Sequence, residues 1–122
     1  MRLTSEESRT DSGAVKIHKN VIASIVAIAA VEIEGVKRVS KGLESGLREL
    51  LGSKSYSAIK VDFDRNGDVK IEVPLIIKYG YNIPEVAARV QENARVALER
   101  MSNVTIKDID ISVRGIDNNL AP

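Results

Sequence analysis

Acidic and amide side chains cluster in the segment DFDRNGD, residues 62–68, with the spacing of a cation-binding loop. Four of its residues match the first, third, fifth and sixth positions of an EF-hand calcium loop: Asp62, Asp64, Asn66 and Gly67. The twelfth position holds Val73, where that loop needs a bidentate glutamate, and strand-like sequence flanks the segment on both sides. The sequence therefore favours a charged hairpin end rich in turn formers, and a looser calcium site is the alternative, with ligands Asp62, Asp64, Asn66 and Asp68.

Nucleophilic or general acid–base catalysis has little to build on in this chain. The single histidine, His18, has no serine or carboxylate at a recognisable triad spacing, and the chain contains no cysteine. Asp108 and Asp110 alternate on one face of a predicted strand, which is typical of a solvated sheet surface. We therefore predict no catalytic residue, no cofactor and no dedicated metal site.

Two tyrosines flank a glycine in the segment KYGYNIPE, at the end of a predicted strand. Tyr79 and Tyr81 are two residues apart, so their side chains can leave the strand end in the same direction. One interpretation is that the rings seal the edge between helix and sheet. The other is an aromatic contact surface for a partner or a second copy, to which Ile76, on an otherwise charged strand face, would also contribute.

Net charge and hydropathy exclude two classes of partner. Eighteen basic and seventeen acidic residues give a formal charge of +1, unlike the strongly basic surface of nucleic-acid-binding proteins. The longest apolar run, Val21 to Val31, is much shorter than the roughly 20 residues that span a bilayer. We expect a cytoplasmic protein that neither binds nucleic acid nor inserts directly into a membrane.

Alternating residues from Ile59 to Val73 predict a β-hairpin whose register can be deduced. A two-residue Asn66-Gly67 turn would set apolar residues opposite charged ones, whereas a three-residue loop, Arg65 to Gly67, matches them. That loop pairs Phe63 with Val69, Val61 with Ile71 and Ile59 with Val73 on the inner face. On the outer face it pairs Lys60 with Glu72 and Asp62 with Lys70, so both charged pairs have opposite signs.

The region before the hairpin predicts a strand, a long helix, a second short strand and a short helix. Val15 and Ile17 alternate as in a strand, and helical spacing then begins at Val21 and continues toward Gly35. This helix is apolar almost all round, so we expect a sheet and either another helix or a second subunit to cover it. The segment VKRVS is the short strand, and the short helix carries Leu43, Leu47, Leu50 and Leu51.

A helix and a final strand follow the tyrosines. Pro84 suits the first turn of a helix; Asn82 is a possible cap, with Glu85 placed for a capping box, but the restriction on residues before proline favours Ile83 as the boundary. One apolar stripe is predicted: Ile83, Ala87, Val90, Ala94, Ala97, Leu98 and Met101. The last strand changes phase between Ile106 and Ile109, which predicts a bulge near Lys107.

This order of elements predicts an α+β fold. The strands carry charge on one face only, so the helices should pack on the other face of a small mixed sheet in a two-layer sandwich. We expect a flexible arm at residues 1–12, a single domain at residues 13–116 and a tail at residues 117–122.

The two most distinctive segments, GAVKIHKNVIASIVAIAAVEIEGV and VPLIIKYGYNIPEVAARVQENARVALERM, resemble the alkaline shock protein family of bacteria, also called the Gls-type envelope stress response family. In the second segment twelve residues carry the resemblance: Val73, Pro74, Lys78, Tyr79, Gly80, Ile83, Pro84, Glu85, Val86, Ala87, Val90 and Gln91. His18 and Ala94 depart from the expected pattern. The resemblance implies a non-enzymatic stress response protein that self-associates as a scaffold or adaptor, and that in some members sits at the membrane through a separate anchoring protein.

Overall fold

The computed structural model describes residues 12–42 and 55–118. Helix α1 spans Ser12–Val31, strand β1 spans Val36–Val39, and a 3-10 turn at Ser55–Ala58 leads into strand β2 at Lys60–Phe63. Strand β3 spans Val69–Lys78, helix α2 spans Ile83–Met101, and strand β4 spans Ile106–Asp117. The predicted α+β class is confirmed, with both of these helices packed on one face of a four-stranded sheet.

Strand β3 organises the sheet because it pairs with all three other strands. β1 and β2 both run antiparallel to it, β2 along Val69 to Glu72 and β1 along Leu75 to Ile77. β4 runs parallel to β3 along its whole length. Because a strand has only two edges, β1 and β2 must share one of them end to end while β4 occupies the other. The parallel β3–β4 pair is joined by α2 as a crossover helix.

The hairpin register deduced from charge and hydropathy is confirmed. Phe63 pairs with Val69 and Val61 with Ile71, while Lys60 lies opposite Glu72 and Asp62 opposite Lys70. Asp64 N–H donates to the Asp68 carbonyl at 2.9 Å, which closes a three-residue loop. Gly67 occupies the left-handed position of that loop with φ +83°.

The core lies between the inner face of the sheet and the two helices. Alternate residues of β3 point into it and are fully buried: Val69, Ile71, Val73, Leu75 and Ile77. Helix α1 supplies small and branched residues to the same core: Ile22, Ala23, Val26, Ala27, Ala29 and Ala30. The many alanines let α1 approach the sheet closely, so the layers need little aromatic volume to fill the space between them.

The first predicted strand is wrong, because Val15 and Ile17 lie within α1. An alternation of two apolar residues is a weak signal, and no turn-forming residue separates it from the helical pattern that follows. The helix ends before Gly35, as predicted, where a φ of +104° requires a glycine. The predicted short helix with Leu43 to Leu51, most of the N-terminal arm and the last four residues lie outside the described residues.

The buried stripe of α2 is shifted from the predicted one. Its buried residues follow an i, i+4 row: Val86, Val90, Ala94 and Leu98. Ile83 and Met101, which were assigned to the stripe, are exposed, and Met101 is 70% accessible. Val86 lies at the core in place of Ile83 because the helix enters the fold with its first residue still at the surface.

Asn82 caps α2, which decides between the two boundaries that the sequence left open. Its backbone is extended, and its side-chain oxygen accepts a hydrogen bond from Glu85 N–H at 3.0 Å. The Glu85 carboxylate accepts a hydrogen bond from Arg89 at 2.6 Å one turn later. Ile83 is already helical although it precedes Pro84.

The bulge predicted near Lys107 is confirmed. Val69 pairs with Ile106 and Lys70 with Asp108, so Lys107 is the additional residue in β4. A second irregularity lies between Val113 and Gly115, where Arg114 is the additional residue. β4 is therefore regular only between these two bulges.

Candidate contact surface

Tyr81 closes the end of the molecule where α1, β1 and α2 meet. Its ring lies over Gly35, so close that a Cβ at that position would stand 2.9 Å from the ring and 2.9 Å from a methyl group of Val86. Its hydroxyl donates a hydrogen bond of 3.1 Å to the Glu34 carboxylate. That hydrogen bond and the negative charge of Glu34 raise the pKa of Tyr81. The ring thus performs the sealing role considered for this residue, while 38% of it stays accessible.

Tyr79 lies beside this seal but is far more exposed. Its backbone N–H donates to the Asp117 carbonyl at 2.9 Å and the preceding Lys78 N–H donates to the Gly35 carbonyl at 2.8 Å. Backbone hydrogen bonds thus hold the strand end, while 60% of the tyrosine remains accessible. Gly80, with φ +97°, then turns the chain toward α2. Tyr79 is therefore presented on a fixed backbone, which is a favourable arrangement for an aromatic contact.

Ile76 does not join the tyrosines at the surface. It projects from the outer face of β3, as the alternation predicts, but none of its surface is accessible to solvent. It lies opposite Arg38 of β1 and beside Gly115 of β4, apart from the core on the inner face. Sequence alternation gave the correct face for Ile76, but it could not show that this part of the face is covered.

Helix α1 exposes a row of aliphatic side chains on the side that faces away from the sheet. Val21 and Val31 are half accessible and Ile28 is 61% accessible. Such residues are ordinary when scattered singly, but these lie on one helix and at spacings that keep them near one face. We call Val21, Ile28 and Val31 the α1 aliphatic row. The expectation that α1 needs covering on more than one side is only partly met within the described fold.

A groove between the two helices continues this row. It has a volume of about 260 Å³ and is lined mainly by apolar side chains, among them Ile25, Ile28, Val96, Ala97 and Met101. Asn93 of α2 donates to the Ala29 carbonyl at 2.8 Å and to the Glu32 carboxylate at 3.1 Å, which ties the helices together at one end. The sequence analysis had placed Met101 in the core, so its part in this surface was missed. An amphipathic pattern alone does not reveal which residues at a helix end remain uncovered.

The hairpin carboxylates are engaged within the protein. One oxygen of Asp64 accepts hydrogen bonds from Asn66 N–H at 2.8 Å and Asp68 N–H at 2.9 Å. The other accepts from Lys107 at 3.4 Å. Partial burial of Asp64 opposes ionisation, but the two amide hydrogen bonds and Lys107 outweigh it and lower the pKa of the carboxyl group. Asp62 lies instead on the outer face, 3.9 Å from Lys60.

These contacts do not assemble a cation site at the hairpin. Nowhere in residues 12–42 and 55–118 do three or more histidine, cysteine, aspartate or glutamate side chains converge as metal ligands. Asp64 serves as the internal acceptor that holds the loop, with a lysine rather than a cation beside it. Its position is thus explained by turn chemistry.

Asp108 and Asp110 extend the charged outer face of the sheet. β4 places them beside Lys70 and Glu72, across from Asp62 and Lys60 of β2. The six side chains line a shallow depression of about 320 Å³. Alternating charge in an open depression is typical of a solvated sheet face. His18, the remaining candidate, lies within α1, and its side chain is outside the described part of the structure.

A membrane-spanning segment was sought in the described part of the chain, and no helix there combines the necessary length and apolar character.

Comparisons with known proteins place these features in a family. The chain is 36% identical over 115 residues to the uncharacterized protein YqhY of Bacillus subtilis (strain 168), covering 93% of this chain and 84% of YqhY. It is 31% identical over 115 residues to the uncharacterized protein YloU of the same organism, covering 92% of this chain and 95% of YloU. The uncharacterized protein Spy1614 of Streptococcus pyogenes is 26% identical over 109 residues, covering 88% of this chain and 90% of Spy1614.

No solved structure gave a significant match. A family model for the alkaline shock proteins, described as having a "cell envelope-related function", matches residues 7–118. The resemblance drawn from the two distinctive segments is thereby confirmed, and the chain belongs to the envelope-related alkaline shock protein family.

Proposed function

We propose that this chain acts in its envelope-related role as a non-enzymatic scaffold or adaptor that associates with further copies of itself. The observation that carries the proposal is the α1 aliphatic row, which leaves large apolar side chains in solvent on a domain whose core is otherwise well filled. Burial of such side chains in an interface contributes about 25 cal/mol per Å². A second copy can bury the same row on both chains at once, as a two-fold interface requires.

The tyrosine turn extends this surface. The hydrogen bond between Tyr81 and Glu34 places the turn directly after the C-terminal end of α1, three residues beyond Val31. Tyr79 therefore adds an accessible aromatic ring near one end of the row. Aromatic and aliphatic residues together are enriched in the centres of protein interfaces. Ile76 is left out of this proposed surface because its side chain is covered.

Mass in solution tests the proposal directly. We expect sedimentation equilibrium to show reversible association of the wild-type chain, and we expect Ile28→Glu to weaken it at least tenfold by placing a charge in the apolar contact. Ile28 is mostly exposed, so this change should leave the melting temperature nearly unchanged. Ala88→Glu, which adds the same charge on the exposed side of α2, is the matched control and should associate as the wild type does.

A strictly monomeric wild type at high concentration would contradict the proposal, as would equal association of the Ile28→Glu and Ala88→Glu variants. The tyrosine part of the surface is tested separately with Tyr79→Ser. This change should weaken association about threefold or more if the ring is in the contact, because truncated interface aromatics commonly cost 1 kcal/mol or more by rough alanine-scanning experience.

The link of the family to the cell envelope supports a further part of the proposal, that a membrane-anchoring protein is a partner. Cell fractionation tests it: the chain should sediment with the membrane fraction in its native cell and be released by deletion of the anchor. A distribution that no membrane-protein deletion changes would argue against such a partner.

The second candidate, calcium binding at the Asp62 to Asp68 hairpin, is weakened by the contacts of Asp64. Isothermal titration of the protein with calcium distinguishes the two functions. We expect no binding heat and no rise in melting temperature, and a saturable signal lost in Asp64→Asn would favour the hairpin site instead.

A further inference from the structure

The outer edge of β4 is a long strand edge without a partner strand in residues 12–42 and 55–118. β4 spans Ile106–Asp117 and pairs only with β3, whereas the opposite edge of β3 is filled by β1 and β2. Unpaired strand edges of this length are templates for further pairing, and proteins commonly shorten, bend or cover them. β4 is bent at both ends by the bulges at Lys107 and Arg114. The regular stretch between the bulges remains.

The hydrogen bonds of β4 identify the backbone groups that face outward. Val69 N–H donates to the Thr105 carbonyl and Tyr79 N–H to the Asp117 carbonyl, so odd-numbered residues of β3 direct their backbone groups toward β4. With Ile71 opposite Ile109 and Val73 opposite Ile111, those groups meet Asp108, Asp110 and Ser112 of β4. The amides and carbonyls of Ile109, Ile111 and Val113 consequently point to the free edge.

One of these outward groups is already engaged. The side-chain amide of Gln91, on α2, donates a hydrogen bond of 2.7 Å to the Ile109 carbonyl. Gln91 therefore covers the edge at Ile109, and the Arg114 bulge interrupts it at the other end. The segment left for pairing is Asp110 to Arg114, with the backbone groups of Ile111 and Val113 directed outward.

This segment is complementary to itself. When two copies run antiparallel with Ser112 opposite Ser112 of the other copy, Ile111 faces Val113 and Asp110 faces Arg114, each twice by symmetry. The apolar pairs lie on the inner face, where Ile111 and Val113 already pack against the core. Both charged pairs have opposite signs. A shift that sets Asp110 opposite Asp110 would place like charges together, and a shift by one residue would set inner side chains against outer ones.

We infer that two copies of this chain pair through Asp110–Arg114 of β4, antiparallel about a two-fold axis at Ser112, and so join their sheets into one continuous sheet. The inference rests on the proposed self-association in that the partner is a second copy, but it uses a surface separate from the α1 aliphatic row. Four backbone hydrogen bonds between Ile111 and Val113 would form across the axis. With two different surfaces, one chain can contact two others, which is what a scaffold requires.

A single introduced cysteine tests this geometry. Residues opposite one another in a non-hydrogen-bonded antiparallel pair have Cα atoms about 4.5 Å apart, within the range of about 4.4–6.8 Å that a disulfide spans. The chain has no cysteine of its own, so a disulfide in Ser112→Cys can only join two copies. We expect mild oxidation to cross-link this variant at least tenfold faster than Ser57→Cys, an exposed serine at the 3-10 turn before β2.

Charge exchange tests the register. Asp110→Arg and Arg114→Asp should each slow cross-linking of the Ser112→Cys chain by about fivefold or more, because each sets like charges opposite one another twice. The double exchange should restore the rate. Equal cross-linking at positions 112 and 57, or no rescue by the double exchange, would overturn the inference.

The two interfaces can fail independently. Association that persists by mass while Ser112→Cys cross-links no faster than Ser57→Cys would overturn β4 pairing and leave the proposed function standing. Rapid cross-linking in a chain whose association is insensitive to Ile28→Glu would instead support β4 pairing and contradict the contact through α1.

Discussion

The hydroxyl of Tyr81 donates a hydrogen bond of 3.1 Å to the carboxylate of Glu34, although 47 residues separate them in the chain. The contact joins the turn before α2 to the segment between α1 and β1. The ring covers Gly35 at the same point, so one side chain holds together three elements that the sequence lists far apart. This end of the molecule is also where the proposed contact surface meets the α1 aliphatic row.

The first prediction concerns the ionisation of Tyr81. Its raised pKa means that the contact with Glu34 contributes stability below the unfolded pKa of about 10 and loses it as pH rises through the higher folded value. Glu34→Gln, which keeps an acceptor but removes the charge, should lower the pKa of Tyr81. Ultraviolet titration of tyrosinate, with the Tyr81→Phe curve subtracted, measures this pKa. An unchanged curve in Glu34→Gln would contradict the assigned cause.

The second prediction separates backbone strain from crowding at Gly35. Gly35→Ala should lower the free energy of unfolding by about 2–4 kcal/mol, because the new Cβ meets both a positive φ and the side chains of Tyr81 and Val86. Gly80→Ala has a similar φ of +97° with no atom near its Cβ, so about 1–2 kcal/mol is expected there. Denaturant unfolding measures both variants, and equal losses would mean that the ring moves aside freely.

The third prediction tests the cap of α2. Asn82→Ala removes the acceptor of the Glu85 N–H and should destabilise the protein by about 1 kcal/mol. Asn82→Ser keeps an acceptor at the same position and should lose only a few tenths of a kcal/mol by rough comparison. Thermal unfolding distinguishes them. If the alanine and serine variants behave alike, the boundary residue would not depend on its side-chain hydrogen bond.

The fourth prediction uses the lowered pKa of Asp64. Because the folded pKa lies below the unfolded value, the stability contributed by the ionised carboxylate is present above the unfolded pKa of about 4 and is lost as pH falls through the lower folded value. Asp64→Asn should therefore be less stable than the wild type at pH 7, and the difference should shrink steadily as the pH is lowered below about 4. A difference that stays constant over this range would show that the charge of Asp64 contributes nothing.

Several features of the fold followed from local sequence alone. The hairpin register was determined because only one loop length sets apolar against apolar and opposite against opposite charges across Lys60–Glu72 and Asp62–Lys70. The bulge at Lys107 was visible because an inserted residue shifts the phase of a two-residue repeat. The break before Gly35 was visible because few residues other than glycine adopt a positive φ.

Other features depended on contacts between distant segments. Val15 and Ile17 alternate as in a strand but continue α1, since two residues cannot outweigh the helix that follows. Asn82 and Ile83 could not be distinguished locally because capping preference and the restriction before Pro84 oppose each other, and the hydrogen bond to Glu85 N–H decided the matter.

The sequence by itself determined that this is one α+β domain with a charged sheet face, a tyrosine turn and no assembled reactive groups evident in its motifs, because periodicity and residue type act over a few neighbouring residues. Only the tertiary structure decided that Ile76 is covered, that Ile28 and Met101 are exposed, and that β4 runs parallel to β3 with its outer edge open. Exposure is a property of what packs against a residue, and those neighbours come from elements far away in the chain.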